Sequence, residues 1–144
     1  MKEQLISFET AKLAKEKGFE METYRWYYSI NGLNGKVGSS TMGMSYLKNH
    51  SKRGKLYYSA PTQSLLQKYL REKEHLYVVV QLELQYTREI DQDGKNPHYV
   101  PEGWYYSIND DAYSRGGSGK VFNTYEEALE DGLKETLKLI KKPK

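Results

Sequence analysis

The stretch LYVVVQLELQYTREI, Leu76 to Ile90, alternates with hardly a break. Leu76, Val78, Val80, Leu82, Leu84 and Tyr86 fall on one side of an extended chain. Gln81, Glu83, Gln85 and Thr87 fall on the other. Period two of this kind predicts a strand in an antiparallel sheet that is covered on one face only. DQDGKNPH follows and reads as a turn, with Gly94 free to take positive φ. Tyr99 to Asn109 then returns as the partner strand, which makes a long hairpin.

The returning strand carries WYYSIN, Trp104 to Asn109, and the same six residues stand at Trp26 to Asn31. Each copy runs on into a Gly/Ser-rich loop, NGLNGKVGSS in one and NDDAYSRGGSGKV in the other. The residues before them differ, which speaks against a duplicated unit. In both copies the expected inward row is Trp, Tyr and Ile: Trp26, Tyr28 and Ile30, then Trp104, Tyr106 and Ile108. The plainer reading is one kind of strand built twice for packing, with Trp and Ile under a helix. The functional reading takes the outward Tyr27 and Tyr105, beside Arg25, as a paired aromatic platform able to stack bases. Glu83 on the same open face weakens the case for a polyanion.

Three helices flank these strands. Ser7 caps Phe8 to Lys17, with Glu9 in the first turn and Gly18 just past the end. SAPTQSLLQKYLREKE forms the second, with Leu65, Leu66, Tyr69 and Leu70 at helical spacing. TYEEALEDGLKETLKLIKK forms the third. Thr124 and Glu127 make a capping box, and Tyr125, Leu129, Gly132, Leu133, Thr136, Leu137 and Ile140 form its apolar stripe. Gly132 costs about 1 kcal/mol against Ala in a helix, a cost that close approach to the sheet would offset. Leu56 to Ser59 is a brief strand. The order is helix, strand, Gly loop, short strand, helix, strand, strand, Gly loop, helix. It predicts a single α+β domain over residues 1–144: a two-layer sandwich, a mainly antiparallel sheet with three helices packed on one face.

At 144 residues the chain can bury one sizeable core. The 14 Tyr make up a large part of its 38% hydrophobic content. The mean hydropathy of −0.85 reflects polar residues set between well-patterned apolar ones, so the chain is not read as disordered. There are no Cys, which excludes disulfides, thiolate metal sites and a cysteine nucleophile and suits a reducing cytosol. No apolar run reaches the length of a signal peptide or a membrane span. A net charge of +3, from 22 basic and 19 acidic residues, falls short of the footprint of a strong nucleic-acid binder.

No motif commits the chain to a chemistry. RGGSGKV has Gly119-Lys120 but lacks the other Walker-loop residues: Ser114 stands where Gly is needed and Val121 where Ser or Thr is. Asp91 to Gly94 opens like a calcium loop, but Lys95, Asn96 and Pro97 break the pattern. His50, His75 and His98 have no metal-ligand spacing. No GxSxG elbow is present. No cofactor is expected. The basic segments KNHSKRGK and KLIKKPK read as solvated loop and tail. With the open face they define a candidate binding set of Arg25, Tyr27, Tyr105, Arg53, Arg115 and Lys120, a weak and salt-sensitive footprint for nucleic acid.

The three helical segments, LISFETAKLAKEKGF, APTQSLLQKYLREKE and YEEALEDGLKETLKLI, together resemble a group of small proteins encoded by phages and prophages of gut bacteria. The resemblance spans the chain and carries no catalytic or binding residues with it. It implies an accessory protein of a mobile element, in the bacterial cytoplasm. The expected function is binding of a host or phage protein without catalysis, with nucleic-acid binding as the alternative. An exposed sheet edge also makes self-association an expectation.

Overall fold

The computed structural model describes residues 3–28, 36–39, 57–87 and 98–141. Among these residues, three helices and six strands follow the order α1 (Phe8–Glu16), β1 (Arg25–Tyr28), β2 (Lys36–Ser39), β3 (Tyr57–Ser59), α2 (Gln63–Lys73), β4 (Tyr77–Thr87), β5 (His98–Asn109), β6 (Ser114–Gly117), α3 (Tyr125–Leu139). The fold is α+β. All described strand pairs are antiparallel, and they divide into two three-stranded sheets, β2-β1-β3 and β4-β5-β6. The sequence pattern led to one sheet.

Helix ends follow local chemistry. The Ser7, Thr62 and Thr124 hydroxyls accept from the N–H groups of Thr10, Leu65 and Glu127, each satisfying a donor that the first turn leaves open. Gly18, at φ 92°, turns the chain out of α1 and lets Phe19 N–H reach the Ala14 carbonyl at 2.9 Å. His75 does the same after α2 at φ 54°, a conformation uncommon for a residue with a β-carbon.

One hydrophobic cluster draws on all three helices and on both sheets. It includes Ile6, Phe19, Tyr27, Leu66, Leu70, Val78, Tyr106, Ile108, Leu133 and Leu137. Helix α3 lies closely on the β4–β5 pair. A β-carbon built on Gly132 would stand 2.8 Å from Val78 Cγ1 and 3.0 Å from Tyr106 Cγ, so glycine is what permits this approach. Helix α1 sets the Phe8 ring against Tyr27 and Tyr58, edge to face at 5.6 and 5.5 Å. No helix among the described residues is long and apolar enough to cross a membrane.

The first WYYSIN copy corrects the expected facing. Tyr27 is buried, only 8% exposed, and its hydroxyl donates to the Ile6 carbonyl at 2.6 Å. Trp26 is buried on the other side of β1, its ring 6.4 Å from that of Tyr57. In the second copy Tyr106 and Ile108 enter the core and Tyr105 does not. The two copies thus present different positions to the interior. A strand shows alternate residues to opposite faces, and which set goes inward is decided by what packs on it. At β1 that neighbour is Phe8 of α1; at β5 it is α3.

Candidate functional site

Of the six residues expected to form a binding face, Arg53 lies outside the described residues. Tyr27 is removed by its burial, which also raises the pKa of its phenol, with the negative charge of Glu130 as the lesser cause. Tyr105 is half-buried on the face of β5 opposite to Tyr106, across from Gln81. The remaining cations separate. Arg25 lines a cavity of about 310 Å³ beside Glu22 and Leu65. Arg115 lines one of about 620 Å³ near the end of α3. Lys120 lines one of about 560 Å³ beside Glu126 and Glu130, with its ammonium 4.9 Å from the Phe122 ring centre. Arg25, Arg115 and Lys120 thus line three different cavities, each with carboxylates among its other lining residues.

The Arg115 cavity holds a polar cluster that sequence reading missed. Asp110 accepts from the N–H groups of Ala112 and Tyr113 at 2.8 and 2.7 Å and pairs with the Arg115 guanidinium. Those two backbone donors, and then Arg115, hold its carboxyl below the usual range. Asp111 accepts from the Tyr77 hydroxyl at 2.8 Å and lies 3.4 Å from His75 Nδ1. Among the described residues, no serine, threonine or cysteine lines this cavity. The acidic Glu130 beside Lys120 has a structural task. Its two oxygens accept from Ser7 N–H, the Thr10 hydroxyl and Gln63 Nε2 at 2.8, 2.6 and 3.1 Å, tying α3 to the starts of α1 and α2. Among the described residues no group of His, Asp or Glu could hold a metal ion.

The strongest feature is the outer half of the β4–β5 hairpin. Directly opposed residues of an antiparallel pair share a face. Val78 faces Ile108 and Val80 faces Tyr106, and these lie in or against the core. The row continues outward as Leu82 opposite Trp104, Leu84 opposite Pro101 and Tyr86 opposite Tyr99. Here the cover ends: Leu82 is 39% exposed, Leu84 49%, Tyr86 51% and Tyr99 65%. The Tyr86 and Tyr99 rings lie 5.2 Å apart. Between the two halves β5 carries one extra residue, Glu102, because Glu83 faces Gly103 while Leu84 faces Pro101. The bulge is held by Gly103, at φ 154°, where a β-carbon would stand 2.6 Å from the Phe122 carbonyl oxygen. The alternation of Leu76 to Tyr86 was legible in the sequence. That its outer half stands uncovered was not.

No protein-family model, curated protein or solved structure matches this chain.

Proposed function

We propose that the protein acts without catalysis, by binding another protein through the apolar face of the β4–β5 hairpin. The observation that carries this reading is the single row of Leu82, Leu84, Tyr86 and Tyr99, all substantially exposed. Scattered exposed apolar residues are ordinary, but a contiguous apolar patch is a characteristic of a binding surface. Tyrosine is also well suited to that use, since its ring is apolar and its tip is polar. The same reading keeps the fold as a two-layer sandwich with its helices on one face, the outer hairpin being the part they do not reach. The likeness of the three helical segments to phage and prophage proteins supports a host or phage protein as partner, met in the bacterial cytoplasm.

Affinity capture from infected or lysogenic cells tests this, using the wild type beside a Leu82→Lys, Leu84→Lys double variant. A partner should be retained by the first and lost by the second while both unfold at similar temperatures. Sequence-independent binding of labelled oligonucleotides, weakening steeply with salt and unaffected by the double variant, would instead favour the nucleic-acid alternative.

A further inference from the structure

We infer that β4 pairs edge to edge with β4 of a second copy of this chain, antiparallel about a two-fold axis, and that the pairing joins two hairpin faces into one docking surface. The two edges of the β4-β5-β6 sheet differ. Beyond β5 the backbone is closed: β6 pairs with Ser107 to Asn109, Ser118 bonds to Tyr106, and Phe122 exchanges two hydrogen bonds with Trp104. Where that cover stops stands Pro101, which has no N–H to offer. The other edge is β4. Its Val78 carbonyl points away from β5, since it accepts from Gln67 Nε2 at 2.8 Å. By strand alternation the N–H and C=O groups of Val80, Leu82, Leu84 and Tyr86 point the same way. Among the described residues no strand pairs with them. An open row of this length is a template for another strand.

The row is complementary to itself. A two-fold axis through Leu84 sets Leu84 against Leu84, Leu82 against Tyr86, and Glu83 against Gln85. Glu83 is the one charged residue in β4, and this register keeps it off its own copy. Like charges directly opposed would be unfavourable. The four exposed side chains leave open about 400 Å², taking about 200 Å² for a large side chain fully exposed. That is half of the ~800 Å² per partner that a standard protein interface buries. Edge pairing leaves the faces free and places two such patches side by side in a continuous six-stranded sheet, which brings the joined surface to standard size. The dimer itself stands on the edge chemistry. Only the use of the joined face rests on the proposed function.

Sedimentation of the full chain over a range of concentrations, with single-cysteine variants, tests this. The chain has no cysteine of its own, so each variant reports one position. The wild type should pass from monomer to dimer as concentration rises. Leu84→Cys should cross-link to itself on mild oxidation, because a hydrogen-bonded pair holds its Cα atoms about 5.5 Å apart, within disulfide reach. Tyr99→Cys should not, since three strand spacings, roughly 14 Å, lie between the two β5 strands and the register offsets the two positions along the strands as well. Leu84→Pro should raise the dimer dissociation constant about tenfold or more over Leu84→Ala, since the axis removes its outward N–H twice. A wild type that stays monomeric, or a Tyr99→Cys chain that cross-links as readily as Leu84→Cys, overturns the inference. A dimer that captures no partner leaves the pairing intact and removes the binding function. A monomer that captures one does the reverse.

Discussion

Gly132 of α3 and Tyr106 of β5 approach so closely that a β-carbon on the glycine would stand 3.0 Å from Tyr106 Cγ. Gly132→Ala should therefore destabilise the protein although alanine is the better helix former. Overpacking costs about 1–3 kcal/mol, against a gain of about 1 kcal/mol in helix propensity. The net expectation is a loss of up to about 2 kcal/mol, read as a lower denaturant midpoint with an unchanged slope. An increase in stability would mean that α3 and the sheet can separate freely at this point.

Tyr106 also predicts behaviour at high pH. Its ring is buried and its hydroxyl donates to Asp131 Oδ2 at 2.7 Å. Burial first, then the bond to Asp131 and the negative charges of Asp131 and Glu135, push its phenol well above the ordinary range. Burial likewise raises Tyr69, with Glu74 and Glu20 adding to it. The folded pKa exceeds the unfolded value of about 10, so the contribution is fully present below pH ~10 and is lost as pH rises through the folded pKa. Stability should decline on the alkaline side. A Tyr106→Phe chain should start lower and decline less steeply. Phenolate absorbance followed with pH would show a late group of tyrosines titrating together with unfolding. Ionisation of all tyrosines before unfolding would contradict this.

Tyr27 and Tyr105 hold the same place in the repeated hexapeptide but should respond differently. Tyr27→Phe removes the donor to a buried Ile6 carbonyl, which should cost about 1–3 kcal/mol. Tyr105→Phe, on the half-exposed face of β5, should stay within about 0.5 kcal/mol. Parallel thermal melts distinguish the two. Equal losses would mean that both copies face the core in the same phase.

These cases show how much the chain discloses before it folds. Helix ends were legible at Ser7, Gly18 and Thr124, because capping depends on a few adjacent residues. The hairpin was legible from Val78 to Tyr86 because period two persists along it. The facing of Tyr27 was not, since Trp26, Tyr27 and Tyr28 are all aromatic and the pattern there has no polar phase. The separation into two sheets depends on pairings between distant segments, which no local period encodes. The site fared less well. Arg25, Arg115 and Lys120 suggested one basic surface by type, but they are carried on elements whose relative positions tertiary packing alone decides. The cluster of His75, Tyr77 and Asp111 has the same cause: 34 residues separate Tyr77 from its partner.

The hairpin offers the sharpest separation of folding from function. Val78 and Leu84 belong to one alternating row, yet Val78 is 4% exposed and Leu84 is 49%. Val78→Ala removes two methyls from beneath Gly132 and should cost roughly 2 kcal/mol through lost burial and a cavity. Leu84→Ala should stay within about 0.5 kcal/mol, as substitutions outside the core do. Chemical denaturation of both variants at a concentration that keeps them monomeric checks the contrast. A large loss at Leu84 under those conditions would mean that the outer hairpin is covered within a single copy, and the face could not serve a partner. A negligible loss means the fold does not need the leucine there. Its apolar character, continued through Tyr86 and across to Tyr99, is then explained by what the surface meets.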